Sequence, residues 1–346
     1  MLVTSGKDVR YVKSNLDFYR RSRERLANTV AHLQRIFSVW TESMLMNLFS
    51  RCEDNFQAML KWIDSLIAGA LISSIKRALG HDDISEEEFL KGAIEEVGDS
   101  KKVELLIREM YYTLQLLRKV LPIYFFKFYE GEWNESIFPK LKEECESVRD
   151  ELEKAEIDIV GILEDFTGKK SPVNLIKACP SPLVPKYRGY GVIEKGDTLA
   201  IIHKSSLLRG KAVLQLVHMS AHELLHYVIN NPPLWKNPEL KCLFEKWLTH
   251  NPRFERMYRA KFGRSYINPR RFFEENLVLA LSHVILERLG FVSKEDIEAI
   301  NLSLFREGFL LVPSLYKMFK QSYDKSSYSN IDMFIAYLFK SNALKL

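Results

Sequence analysis

The stretch "VHMSAHELLHYVINNPP", residues 217–233, carries His222, Glu223 and His226 in the order H-E-x-x-H. Side chains four apart on an α-helix project from one face, about one turn apart. Two imidazoles so placed can meet a single ion at roughly 2 Å without bending the backbone. Leu214, Val217, Ala221, Leu225 and Val228 form an apolar stripe along the segment, and Asn230-Asn231-Pro232-Pro233 stops it just after the second histidine. With eight histidines in 346 residues, composition alone is a poor explanation of the pattern. The spacing predicts a helix over about 210–230 that holds zinc through His222 and His226. Glu223 would then stand beside a water whose pKa the ion lowers to about 7, taking its proton during attack and returning it to the leaving group. His218, a turn upstream, shares the face, but zinc sites of this kind draw their third ligand from elsewhere in the chain.

The segment "NPRRFFEENLVLALSHVILERLG", residues 268–290, is mostly apolar yet carries two adjacent glutamates near its start. Counting helical turns, Glu274 falls in line with Val278, Leu281 and Ile285 in the middle of the apolar face. Glu275 falls with Leu279, Ser282 and Leu286 on its border, and Asn276, His283 and Glu287 are expected to mark a solvated side. Carboxylates in so apolar a segment need a reason, and the bland one is that both are first-turn charges favoured by the helix dipole.

With H-E-x-x-H and a downstream glutamate-bearing helix, the chain resembles the zincin metallopeptidases, specifically the gluzincin branch (the peptidase MA group), over about residues 171–290. The resemblance implies an α+β domain of small sheet, HELLH helix and glutamate-bearing helix, one zinc per chain, and hydrolysis of a peptide or protein substrate with water as the nucleophile. It also implies a third ligand followed by a small residue three positions on. That favours Glu275, with Val278, over Glu274, with Leu277, while the turn count favours Glu274; the choice is narrowly Glu275, with Glu274 as alternate. The family's usual acid four residues after the ligand is here Leu279 or Val278, which leaves the residue that would orient a histidine unidentified. No H-x-x-G-x-x-H continuation follows His226, so the metzincin pattern is absent. By the same analogy "DTLAIIHK", residues 197–204, would be an edge strand for an extended substrate. An oxyanion-stabilising group would come from Tyr258, Tyr266, His283 or Tyr316.

The surrounding chain predicts two domains. Residues 8–79 contain no proline and one glycine, Gly69, among apolar residues at helical spacing. Further helices are expected from a Ser85/Glu88 capping box, from "SKKVELLIREMYYTLQLLRKVL" up to Pro122, and from 138 to about Gly168. After 168 the texture shifts to closely spaced proline and glycine with short β-branched runs, and "GYGVIEKGDTLAIIH" reads as a hairpin turning at Lys195, Gly196 and Asp197. Asn237-Pro238, Asn251-Pro252 and Asn268-Pro269 each read as a helix start. The expectation is an all-helical domain over 1–168, of unknown role, and a zincin-like domain over 169–346, α+β and predominantly helical overall.

Composition excludes several classes. Apolar residues make up 47% and charged residues 27%, the balance of a globular chain, and no apolar run is long enough to span a bilayer. The N-terminus lacks the apolar core of a signal peptide, so a cytoplasmic protein is expected. Cys52, Cys145, Cys179 and Cys242 are scattered without a C-x-x-C pair, against a zinc ribbon. Residues 1–170 carry 25 Lys and Arg against 30 Asp and Glu, and the remainder 25 against 15. Seven basic residues stand against Glu255 within 251–271. The alternative to a peptidase is therefore a zincin-fold regulatory or binding protein with little turnover, associated with nucleic acid through 253–271. Of the two nucleic acid is the lesser expectation, a solvated basic helix being the simpler account. Oligomeric state is open.

Overall fold

A computed structural model describes residues 56–79, 84–124, scattered positions over 139–154, and then 156–181, 189–193, 197–204, 212–262, 268–324 and 326–344. Among the described residues the chain is predominantly helical, with one small sheet. Its contacts divide it into two units, Met1–Lys140 with 264–267, and Leu141–Gly263 with Asn268–Leu346. Among the described residues no helix is long and apolar enough to cross a membrane.

The described part of the first unit is four helices: α1 (Phe56–Ile67), α2 (Leu71–Ala78), α3 (Glu86–Val97) and α4 (Ser100–Tyr124). The long expected helix breaks at Gly69, and residues before 56 lie outside the described region. Ser85 caps α3 as the capping box requires: its hydroxyl accepts from the Glu88 amide while the Glu88 carboxylate accepts from the Ser85 amide. Pro122 sits inside the last turn of α4 rather than ending it. Leu66, Ile75, Phe89, Leu106, Met110 and Leu114 close the core between the four helices.

The second unit starts from α5 (Ile159–Thr167), which lies before the expected boundary at 168 but packs against the HELLH helix. It is a separate helix, because the Asp158 carboxylate accepts from the Gly161 amide and caps a new start there. Gly168 ends it at φ +67°, where a Cβ would also meet the Ser329 carbonyl at 2.5 Å. Three strands follow, β1 (Leu175–Ser181), β2 (Gly189–Ile193) and β3 (Thr198–Lys204), in the order β1-β3-β2. β2 and β3 pair antiparallel as the expected hairpin requires, with Gly191 opposite Ile201, while Lys195 and Gly196 of its turn lie outside the described residues; β1 runs parallel to β3. The expected edge strand, residues 197–204, is thus the central one: a hairpin whose second strand also recruits β1 exposes its first strand, β2, at the edge instead.

The rest of the unit is helical: α6 (Ala212–Ile229), a 3-10 turn (Leu234–Lys236), α7 (Pro238–His250), α8 (Pro252–Met257), a π-helical turn (Tyr258–Phe262), α9 (Pro269–Arg288), α10 (Lys294–Glu307), α11 (Val312–Gln321) and α12 (Ile331–Lys340). Asn237 and Asn268 cap α7 and α9 through their side chains. Asn251 starts α8 but its side chain turns back to donate to the Trp247 carbonyl. α9 runs through the middle, packed by α6, α10 and α11. This corrects the expected solvated side: Asn276 and His283 are buried, each with a specific partner. The Asn276 amide donates to the Phe272 carbonyl and its oxygen accepts from the Leu311 amide, while His283 Nδ1 meets Asn301 Oδ1 at 2.7 Å. Phe244, Trp247, Phe273 and Phe339 pack edge to face beside the N-terminal turns of α9.

Lys169 is an unanticipated clamp. Its ammonium, buried at 6% residue exposure, donates to the carbonyls of Ile229 and Pro232 at the end of α6 and pairs with Asp332 in the first turn of α12 at 3.0 Å. Removing one partner of a buried pair strands the others. Lys169→Met is therefore expected to lower unfolding free energy by about 3 kcal/mol in urea titration; a loss under about 1 kcal/mol would mean that the clamp is dispensable.

Candidate metal centre

α6 is helical because its apolar residues recur at the period of the core: Leu216, Val217, Ala221, Leu224, Leu225, Val228 and Ile229 are all buried. That burial turns His222 and His226 toward the first turns of α9, with ring centroids 5.0 Å apart. α9 supplies the carboxylates. Glu275 Oε1 lies 3.5 Å from His222 Nε2, and its Oε2 lies 3.4 Å from His226 Nε2. Ligand atoms about 2.0–2.1 Å from a tetrahedral zinc stand roughly 3.3–3.4 Å apart, and each Glu275 oxygen lies at about that distance from one imidazole nitrogen. Among the described residues, His222, His226 and Glu275 are the group of three whose ligand atoms come within 4.8 Å of one another. Two imidazoles and a carboxylate are a donor set suited to zinc.

Glu274 does different work. It is 2% exposed and faces only the far nitrogen of His226, Nδ1 to Oε1 at 3.4 Å. Asn230 Nδ2 at 2.7 Å, Trp235 Nε1 at 3.3 Å and Arg271 Nη1 at 3.2 Å also donate to its carboxylate. Burial works against the charge, but His226, Arg271 and Asn230 outweigh it and hold the carboxyl down to about 2. Glu274 thus meets the His226 ring at Nδ1, the side away from Glu275, where a carboxylate that orients a ligating histidine would sit. The buried central position of the turn count is taken by Glu274, and the border position by Glu275, which faces both histidines. Glu274→Gln is expected to weaken zinc affinity by about 10–100-fold in competition with a chelator, and unchanged affinity would remove it from this role.

The two imidazoles differ in protonation. Burial pushes His222 down to about 4 against the pull of Glu275. Burial acts the same way on His226, but the hydrogen bonds and charges of Glu274 and Glu275 override it and raise it to about 10.

Glu223 lies against β2, within electrostatic reach of His226 and Glu275. Burial raises its carboxyl to about 7, opposed by the charge of His226 and by a hydrogen bond from the Gly191 amide. A Cβ on Gly191 would lie 2.7 Å from the Glu223 Cβ and 2.8 Å from its Oε2, so the strand approaches the helix this closely only with glycine here. The Tyr227 hydroxyl, one turn on, donates to the Gly191 carbonyl at 3.1 Å. Neither Gly191 nor Tyr227 was singled out in the sequence, although the Gly-Tyr-Gly of β2 marked a strand that something approaches closely.

Other expected contributors are placed elsewhere. His218 is half-buried beside His283, ring centroids 5.6 Å apart, with its Nε2 unpartnered. Tyr258 packs on Phe272 and the Tyr316 hydroxyl donates to Glu287; Tyr266 lies outside the described residues. In the basic segment, Arg259 pairs with Glu255, Lys261 donates to the Glu307 carbonyl, Arg253 stacks over Phe305 and Arg271 serves Glu274. All four side chains also remain exposed.

No protein-family model matches the chain, and no curated protein or solved structure matches it either.

Proposed function

We propose that the second unit is a zincin-like metallopeptidase domain of the gluzincin type, hydrolysing peptide bonds with one zinc held by His222, His226 and Glu275. The observation that carries this reading is the Glu275 carboxylate facing both Nε2 atoms at 3.4 and 3.5 Å. Zinc bound there supplies a Lewis acid and brings the pKa of a coordinated water to about 7. Glu223, a carboxyl raised to about 7, is matched to taking a proton from the attacking water and handing it to the departing amine. Glu274 keeps His226 oriented, and the edge of β2 beside Glu223 is the place for an extended peptide. The Glu274 carboxylate in its nest of four donors is further support, since a buried charge at that point is explained by the histidine it orients.

The test is metal analysis by mass spectrometry on full-length protein purified without added metal and without a histidine tag, followed by incubation with a mixed peptide library. About one zinc per chain, and cleavage that stops on chelation and returns with zinc, is the expected result. A chain that takes up no zinc even when it is supplied would end the reading.

A further inference from the structure

Resting on the peptidase reading, we propose that Tyr227 gates the substrate edge of β2: its hydroxyl holds the Gly191 carbonyl at rest and yields it to the N–H of an extended peptide that pairs there. In an antiparallel pair, a residue's N–H and C=O point to the same side, either both to the neighbouring strand or both away from it. The Gly191 carbonyl receives the Tyr227 hydroxyl at 3.1 Å and its amide donates to Glu223. Both groups therefore face α6 and not β3, although Gly191 stands opposite Ile201 in the register. Two side chains one turn apart on α6 occupy the two positions that an added strand needs.

They are not equally held. The bond to Glu223 is made to a buried carboxylate that the reaction needs in place, and charge-assisted bonds are about twice as strong as neutral ones. The bond from Tyr227 is a neutral one between a half-buried phenol and a carbonyl. An arriving peptide exchanges the second and leaves the first. Its N–H takes the Gly191 carbonyl, while its own carbonyl finds the Gly191 amide engaged by Glu223. The strand therefore holds that residue by one bond and leaves its carbonyl to the site, and Tyr227 opposes entry until the exchange is made.

The test uses zinc-loaded full-length protein and three probes in calorimetric titration: acetohydroxamate, which chelates without a peptide backbone; an extended tripeptide hydroxamate; and the same tripeptide N-methylated at each amide in turn. Tyr227→Phe keeps the ring and removes the hydroxyl, and Tyr227→Leu is the second variant. The expected result is that both variants bind the tripeptide hydroxamate about fivefold more tightly than wild type, as loss of one competing neutral hydrogen bond predicts. Acetohydroxamate binding stays unchanged, and N-methylation of one amide erases the gain. Unchanged or weaker tripeptide binding in the variants, or an equal gain for acetohydroxamate, overturns the proposal. Binding of acetohydroxamate but not of the tripeptide overturns it while leaving the metal centre standing. Binding of no hydroxamate overturns the metal reading and this one with it.

Discussion

Glu223→Gln is expected to cut peptide turnover about a thousandfold while leaving one zinc per chain bound. General acid–base groups contribute roughly 10²–10⁴ in rate, and an amide of the same shape can neither accept nor return the proton. The geometry makes the variant clean. Glu223 is not among the residues facing both histidine nitrogens, and a glutamine oxygen can still accept from the Gly191 amide. The carboxyl raised to about 7 gives the parent a pH signature as well: activity falls as the pH drops through that value and Glu223 becomes protonated. Initial rates on a cleaved library peptide, measured beside zinc content, read both quantities. Turnover within tenfold of the parent would place the proton transfer elsewhere; no turnover in either protein, with zinc bound, would favour a zincin-fold binding protein.

Loss of zinc is the expected outcome of His222→Ala and of Glu275→Gln, each leaving well under a tenth of the metal after dialysis against a mild chelator. Each removes one of three protein donors from a site whose affinity depends on all of them. Glu274→Gln, by contrast, loads fully at excess zinc, because the donor set is intact and only its orientation is slackened. Mass spectrometry on the three variants in parallel orders the two glutamates. Retention of zinc in Glu275→Gln with loss in Glu274→Gln would reverse their roles.

How much of this was legible in the sequence depends on the range of each interaction. The helix carrying His222 and His226 was readable because the spacing is a local property of one helix, and the starts at Asn237 and Asn268 because capping acts within three residues. The β2–β3 hairpin was readable for the same reason, but not which of its strands lies at the edge, since that depends on β1 joining from outside the hairpin. The glutamate choice was near balance because periodicity places a side chain on a face and says nothing of its neighbours. The nest around Glu274 draws on Asn230, Trp235 and Arg271, two of them some forty residues away in sequence. Asn276 and His283 read as solvated because polar residues usually are; α10 and α11 cover them and supply their partners. Lys169 gave no signal at all, a lysine just past the end of a helix being ordinarily exposed.

That lysine also sets an order of events. Its bond to Asp332 joins residues 163 positions apart, yet its other two bonds hold the end of the helix that carries His222 and His226. During synthesis the HELLH segment leaves the ribosome about a hundred residues ahead of Asp332, so Lys169 can reach the end of that helix before the carboxylate that neutralises it exists. A nascent chain therefore has the histidines in hand while this fastening of the helix that presents them is still incomplete.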